Sequence, residues 1–170
     1  MSISPMNILA LDPAQRCGFA HSTGPVGVWE LGSGPQRLDV METRLVKALQ
    51  DWPTSVIAYE SATFGSHHLH TMRRHNELAG VIELVAARYH LRCWTYNPMQ
   101  WKASALGHGK LDKEGVMRML RVLYGLEITD PDMADAVGIL RAAMRGEPPP
   151  SKRKQRSTQR KLAKKDKRLF

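Results

Sequence analysis

Two apolar runs that each end on a carboxylate, "NILALD" at residues 7–12 and "SVIAYE" at 55–60, constrain this chain more than any other feature. Each has the length and composition of a strand, and the last residue is an acid, Asp12 in one and Glu60 in the other. A carboxylate at the end of a buried strand is costly unless something matches it. The pattern therefore asks what Asp12 and Glu60 face.

The stretches around these runs set the fold class. "GFAHS" (18–22) and "GVWEL" (27–31) are short strand-like pieces bounded by Gly and Pro, so with the first run they predict an antiparallel meander. From Leu38 the apolar residues Met41, Leu45, Leu49 and Trp52 recur at helical spacing, and "SVIAYE" follows. A second helix is predicted over 71–89, a strand over 92–97 stopped by Pro98, and helical stretches near 99–106 and 112–124. The order is βββαβαβα plus a closing helix. The expected fold is α/β, a mixed five-stranded sheet with three antiparallel then two parallel strands, flanked by helices.

The closing helix begins in "DPDMADAVGIL" (130–140). Asp130 before Pro131 reads as an N-cap with proline at the first helical position. Asp132 and Asp135, three apart, then share one face of the first turns. For one such acid, compensation of the helix dipole is explanation enough. Two of them, on a helix delivered to the strand ends of an α/β sheet where functional crevices lie, would join Asp12 and Glu60 in a cluster of four. Four clustered carboxylates repel unless cations intervene, and hard oxygen donors suit Mg²⁺ or Mn²⁺. The economical reading is a two-metal site, with ions ~4 Å apart, for phosphodiester hydrolysis.

Charge is distributed unevenly. The net +9 of the 170 residues resides in residues 151–170, which hold ten of the 25 basic residues and one of the 16 acids, leaving fifteen of each elsewhere. This stretch follows "EPPP" and has too few apolar positions to offset the entropy of ordering, so residues 149–170 are expected to form a disordered basic tail after a domain spanning 1–148. A flexible polycation attracts phosphates by counterion release and raises encounter rate more than selectivity. Nucleic acid is the expected partner. No run approaches the ~20 apolar residues of a membrane span, the first residues lack a signal pattern, and Cys17 and Cys93 fit neither a metal motif nor a disulfide framework. A reducing cytoplasm, in association with nucleoid or viral DNA, is the expected location.

Four motifs in order, "ILALDPAQRCGFA", "IAYESATF", "NPMQWKASALGHGKLDK" and "DMADAVGIL", resemble the RuvC family of Holliday junction resolvases, of ribonuclease H-like fold, particularly its phage-like and short bacterial members. The resemblance spans residues 7–145. It implies that Asp12, Glu60, Asp132 and Asp135 are the metal-binding carboxylates, and that Lys102 and Lys113 match the family's two important lysines. It also implies a C2 homodimer that places paired nicks in four-way junctions. The residues themselves agree: Lys113 opens a helix after "GHGK", where its ammonium would offset charge developing in a transition state, and Lys102 would hold backbone phosphate. Lys110 and the flexible Gly107 and Gly109 would join them at the DNA.

Phe64 lies four residues after Glu60, one later than the aromatic of the resembled family that is placed near the junction crossover. Arg73 and Arg74, in "GSHHLHTMRRH", are read as phosphate contacts; His67, His68, His70 and His75 beside them lack the Cys or acid that completes a usual zinc set. Other readings are a ribonuclease H-like nuclease acting on forks, flaps or structured RNA, and a nonenzymatic basic nucleic-acid-binding protein. The second leaves the four placed acids without a purpose. An actin-like or sugar-kinase ATPase, whose phosphate loop resembles "LDPAQRCGFA", needs a second lobe that 170 residues do not supply.

Overall fold

The first strand, β1 (Ile8–Asp12), points alternate residues to opposite sides of a sheet, and both sides are buried. Ile8 and Ala10 enter one apolar cluster, Leu9 and Leu11 the other. The same alternation divides Val56 and Ala58 from Ile57 and Tyr59 in β4 (Val56–Glu60). A strand covered on both faces reads as an unbroken apolar run, which is how these two stand out in the sequence.

In the computed structural model, which describes residues 6–62 and 69–148, β1 pairs antiparallel with β2 (Arg16–His21), and β2 with β3 (Val26–Glu30). On its other side β1 pairs parallel with β4, and β4 with β5 (Arg92–Tyr96). The order β3-β2-β1-β4-β5 matches the expected mixed sheet. Phe64, His67, His68 and the predicted tail lie outside the described residues.

Helices α1 (Gln36–Asp51) and α2 (Leu69–Arg88) cover one face through Met41, Leu45, Leu78, Ile82 and Val85. The other face carries α3 (Pro98–Leu106), α4 (Lys113–Tyr124) and α5 (Pro131–Ala143). Small residues make this second layer tight. Ala10, Ala20 and Ala58 of the sheet meet Ala134, Ala136, Gly138 and Ala142 of α5, all buried, so the helix axis lies close against the central strands. A Cβ on Gly18 would stand 1.9 Å from the Asp132 carbonyl oxygen, so only glycine lets β2 pass under the first turn of α5.

Two boundaries differ from expectation for visible reasons. β2 starts at Arg16 rather than 18, because its ladder with β3 runs out to Arg16 opposite Glu30, where no apolar run marks it. Pro98, expected to stop a strand, also begins α3: Asn97 caps the helix, accepting from the Gln100 amide at 2.9 Å, and the Gln100 side chain returns the bond in a capping box.

Candidate active site

Asp12 and Glu60 end adjacent parallel strands, with Leu11 opposite Tyr59 in register, so both carboxylates emerge at the same edge of the sheet. Neighbouring strands stand about 4.8 Å apart, which holds the two acids within mutual reach. Ser61 fixes the exit of β4 by donating its amide to the Tyr96 carbonyl at 2.8 Å. From above, α5 brings its acids to the same edge. Its N-cap is Asp130, whose side chain accepts from the amides of Asp132 (2.9 Å) and Met133 (3.0 Å), with Pro131 at the first position as the sequence predicts.

The electrostatics show that these acids share one place. Asp12 is partly buried, and loss of hydration raises its pKa well above the usual carboxylate range, with the charges of Glu60, Asp135 and Asp132 adding and Lys113 opposing. Burial pushes Glu60 up to about 7, against the hydrogen bond it accepts from Trp101, with Asp135 adding to the rise. Asp135 reaches about 6 for the same first reason, while Lys102 and Lys113 pull it back. Among the described residues no three His, Cys, Asp or Glu side chains form a closed ligand cage. Their side chains are turned toward other partners: Trp101 Nε1 donates to Glu60 Oε2 at 2.5 Å, and Asp132 takes Arg16 Nη1 at 2.6 Å and Lys113 Nζ at 3.2 Å.

A hard divalent cation fits this donor set. It offers oxygen alone, and three of its four carboxylates are held in an environment that disfavours their charge, which a 2+ ion would reverse. Asp12, Glu60, Asp132 and Asp135 are the residues that would hold it.

The lysines sit on either side. Lys113 opens α4 behind the Asp112 N-cap; burial works against its charge, but its bond to Asp132 and the fields of Asp135 and Asp12 raise its pKa above the ordinary lysine value. Lys102 lies near enough to act on Glu60 and Asp135, yet its ammonium also donates to the Leu111 carbonyl at 2.7 Å and lies 5.3 Å from the Trp101 ring centre. It pins the 107–111 turn to α3. Lys110 is exposed on that turn, which leaves α3 through Gly107 at φ 78°. On α2, Arg73 pairs with Glu77 at 2.8 Å and Arg74 is exposed.

Three contributors escaped the sequence reading. Arg16, besides Asp132, contacts Asp130 at 2.7 Å and Glu30 at 2.9 Å, and these bonds raise its pKa. Trp101, fully buried, orients Glu60. Gly138 makes room for it: a Cβ there would lie 2.3 Å from Trp101 Cζ3. The only signal for Trp101 was its place beside Lys102, and Arg16 had none beyond its closeness to Asp12.

Residues 25–142 match the family model described as crossover junction endodeoxyribonuclease RuvC. The protein of that name from Heliobacterium modesticaldum is 32% identical over 148 residues, covering 79% of this chain and 91% of its own length. That of Brachyspira hyodysenteriae is 28% identical, with the same two coverages. Among solved structures, Thermus thermophilus RuvC in complex with a Holliday junction substrate superposes with a TM-score of 0.68 at 22% identity, over 81% of this chain and 92% of that one. The yeast mitochondrial Holliday junction resolvase Ydc2 gives 0.59 at 13% identity, over 83% and 78%. The fold is ribonuclease H-like, and the chain belongs to the RuvC family of crossover junction endodeoxyribonucleases.

Proposed function

We propose that this protein resolves four-way DNA junctions by hydrolysing phosphodiester bonds at the edge where β1, β4 and α5 meet. The observation that carries the reading is the convergence of Asp12, Glu60 and Asp135, from three separate elements, into one field of mutual repulsion. Structural ion pairs place opposite charges together; here like charges are gathered and partly buried, an arrangement that pays only if a cation joins them. Membership of the RuvC family carries dependence on a divalent cation. Two Mg²⁺ ions, replaceable by Mn²⁺, are the occupants we assign to the four carboxylates.

The cation supplies Lewis acidity at the scissile phosphate and neutralises charge there. The chain supplies the rest. Trp101 fixes the rotamer of Glu60, and Arg16 with Lys113 fixes that of Asp132. Lys113, its side chain mostly exposed and its ammonium bonded to Asp132, is placed to offset negative charge building on the transferring phosphate. Lys102 and Lys110 present positive charge on the α3–α4 side, Arg73 and Arg74 on the α2 side, so a strand crossing the carboxylates meets cations on both flanks. Phe64 would enter the junction near its crossover, stacking on a base.

A four-way junction is nearly two-fold symmetric, so a C2 homodimer with one site per subunit cuts two strands at related positions. Residues 1–148 form the nuclease domain in this reading, and 149–170 a basic tail that adds salt-sensitive, sequence-independent grip. No helix among the described residues is long and apolar enough to cross a membrane.

The test is a labelled mobile four-way junction incubated with and without Mg²⁺, with cuts mapped on all strands beside matched fork, flap and RNA substrates. Paired, symmetry-related cuts confined to the junction and requiring the ion are expected. Equal cutting of forks, flaps or RNA would replace the substrate assignment, and absence of any cutting would remove the activity.

A further inference from the structure

A hollow of about 370 Å³ opens between the turn before α1 and the head of α2. Its charged lining is uneven: Arg37, His70, Arg73 and Arg74 stand around one acid, Glu77. All but Arg37 come from α2, where positions 70, 73, 74 and 77 recur at helical spacing and so share one face. Arg37, mostly buried, belongs to the first turn of α1.

The acid is already taken. Glu77 accepts from Arg73 at 2.8 Å through one oxygen and from Arg37 through the other. Arg37 also donates to the Gly34 carbonyl, which ties the turn before α1 to α2. Arg74 is exposed and has no acidic partner among the described residues. The start of α1 adds to the imbalance: its N-cap, Pro35, brings no side-chain oxygen to the first amides, so the positive end of a 16-residue helix lies at the edge of the hollow. Guanidiniums gathered beside a helix N-terminus are unfavourable neighbours until an anion joins them.

The hollow adjoins the carboxylates. Gly34, Arg37 and Arg74 also border a larger cavity, of about 410 Å³, whose wall includes Asp12 and Glu60. A strand with its scissile phosphate at those acids, leaving on the α2 side, passes Arg74. We infer that the hollow seats a second, uncut phosphodiester of that strand, held by Arg74 and by Arg73 turning to it from Glu77. The inference rests on the nuclease reading above and names the contact that holds the strand in register. Phosphate is the anion that planar guanidinium forks match. The bond between Arg73 and Glu77 yields readily because the arginine side chain is 79% exposed. Arg37, buried, stays on Glu77 and keeps the wall in place. A phosphate anchored there carries no sequence information; it sets where along the strand the cut falls.

The test replaces each phosphate around the mapped cut in turn with an uncharged methylphosphonate and measures junction binding in Ca²⁺ by gel shift, for the wild type, R73Q and R74Q. Both arginines are exposed, so their replacement leaves the core packing untouched. In the wild type, one replacement away from the scissile position is expected to weaken binding about tenfold, the scale of a charge-assisted contact. In R74Q the same replacement should cost less than about threefold, because the contact is already gone, and log affinity should fall with log salt by a slope shallower by about one. R73Q should lose part of the same sensitivity. Full sensitivity retained by either variant, or no sensitive position besides the scissile one in the wild type, overturns the seat and leaves the nuclease standing. A wild type that cuts no junction overturns both.

Discussion

Arg16 Nη1 donates to Asp132 Oδ2 at 2.6 Å across 116 residues of chain, so one of the four clustered acids already has a full countercharge while the other three do not. The guanidinium occupies an oxygen that a divalent ion would use. An ion held there would compete with Arg16 and Lys113, which take one oxygen of Asp132 each. Substituting Arg16→Gln should tighten Mn²⁺ binding about threefold to tenfold, a modest factor because the arginine end of the pair is solvated. Calorimetric titration measures it; weaker binding in the variant would mean that Arg16 holds Asp132 in the geometry the ion needs.

Raised acidities give a pH signature of the metal-free protein. Glu60 titrates at about 7 when folded against an ordinary 4.5, so the folded state holds a proton that the unfolded chain has lost between these values. Its contribution is fully present below about pH 4.5 and is lost as the pH rises through about 7. In EDTA, the wild type should lose on the order of 2 kcal/mol relative to Glu60→Gln across that interval. Thermal melts at stepped pH check the difference, and Mg²⁺ should restore the wild type alone. Parallel curves for the two proteins would show that Glu60 is not strained.

Lys113 lies outside the buried cluster but touches Asp132 at 3.2 Å. Removing a donor aimed at developing charge costs about 10²-fold to 10³-fold in rate. Lys113→Ala should slow single-turnover cleavage by that order while junction affinity, read by gel shift in Ca²⁺, changes little. A proportionate loss of binding instead would make it a simple phosphate contact.

Gly138→Ala tests the path from core to site. Alanine in a helix interior is ordinarily favoured over glycine by about 1 kcal/mol. Here the added carbon meets the Trp101 ring at 2.3 Å inside a packed core, and overpacking of that kind costs about 1–3 kcal/mol. The clash should win, lowering the melting temperature and shifting tryptophan fluorescence, and cleavage should fall as Glu60 loses the indole N–H. Trp101→Phe, which deletes the donor and keeps most of the bulk, should slow cleavage with a smaller loss of stability.

How much of this was visible in the sequence follows from which forces are local. β1 and β4 announce themselves because strands apolar on both faces leave a continuous run, and α5 because Asp130 and Pro131 carry its cap chemistry within two residues. The convergence of Asp12, Glu60, Asp132 and Asp135 was legible as acids at element ends, since the topology of an α/β sheet puts those ends together. Arg16 was not, because its partners Asp130 and Asp132 are brought to it only by α5 crossing β2 at Gly18. Trp101 was equally hidden: its bond to Glu60 depends on the absence of a side chain at Gly138, a relation between three elements that no spacing encodes.

The crossing of α5 over Gly18 also has a consequence during synthesis. Asp12 leaves the ribosome first and the acids of α5 only after every strand of the sheet has emerged, so a nascent chain carries an incomplete centre until the last helix docks. On the proposed assignment, translation itself keeps the nuclease unarmed, and a chain terminated before α5, lacking Asp132 and Asp135, is expected to cut no DNA.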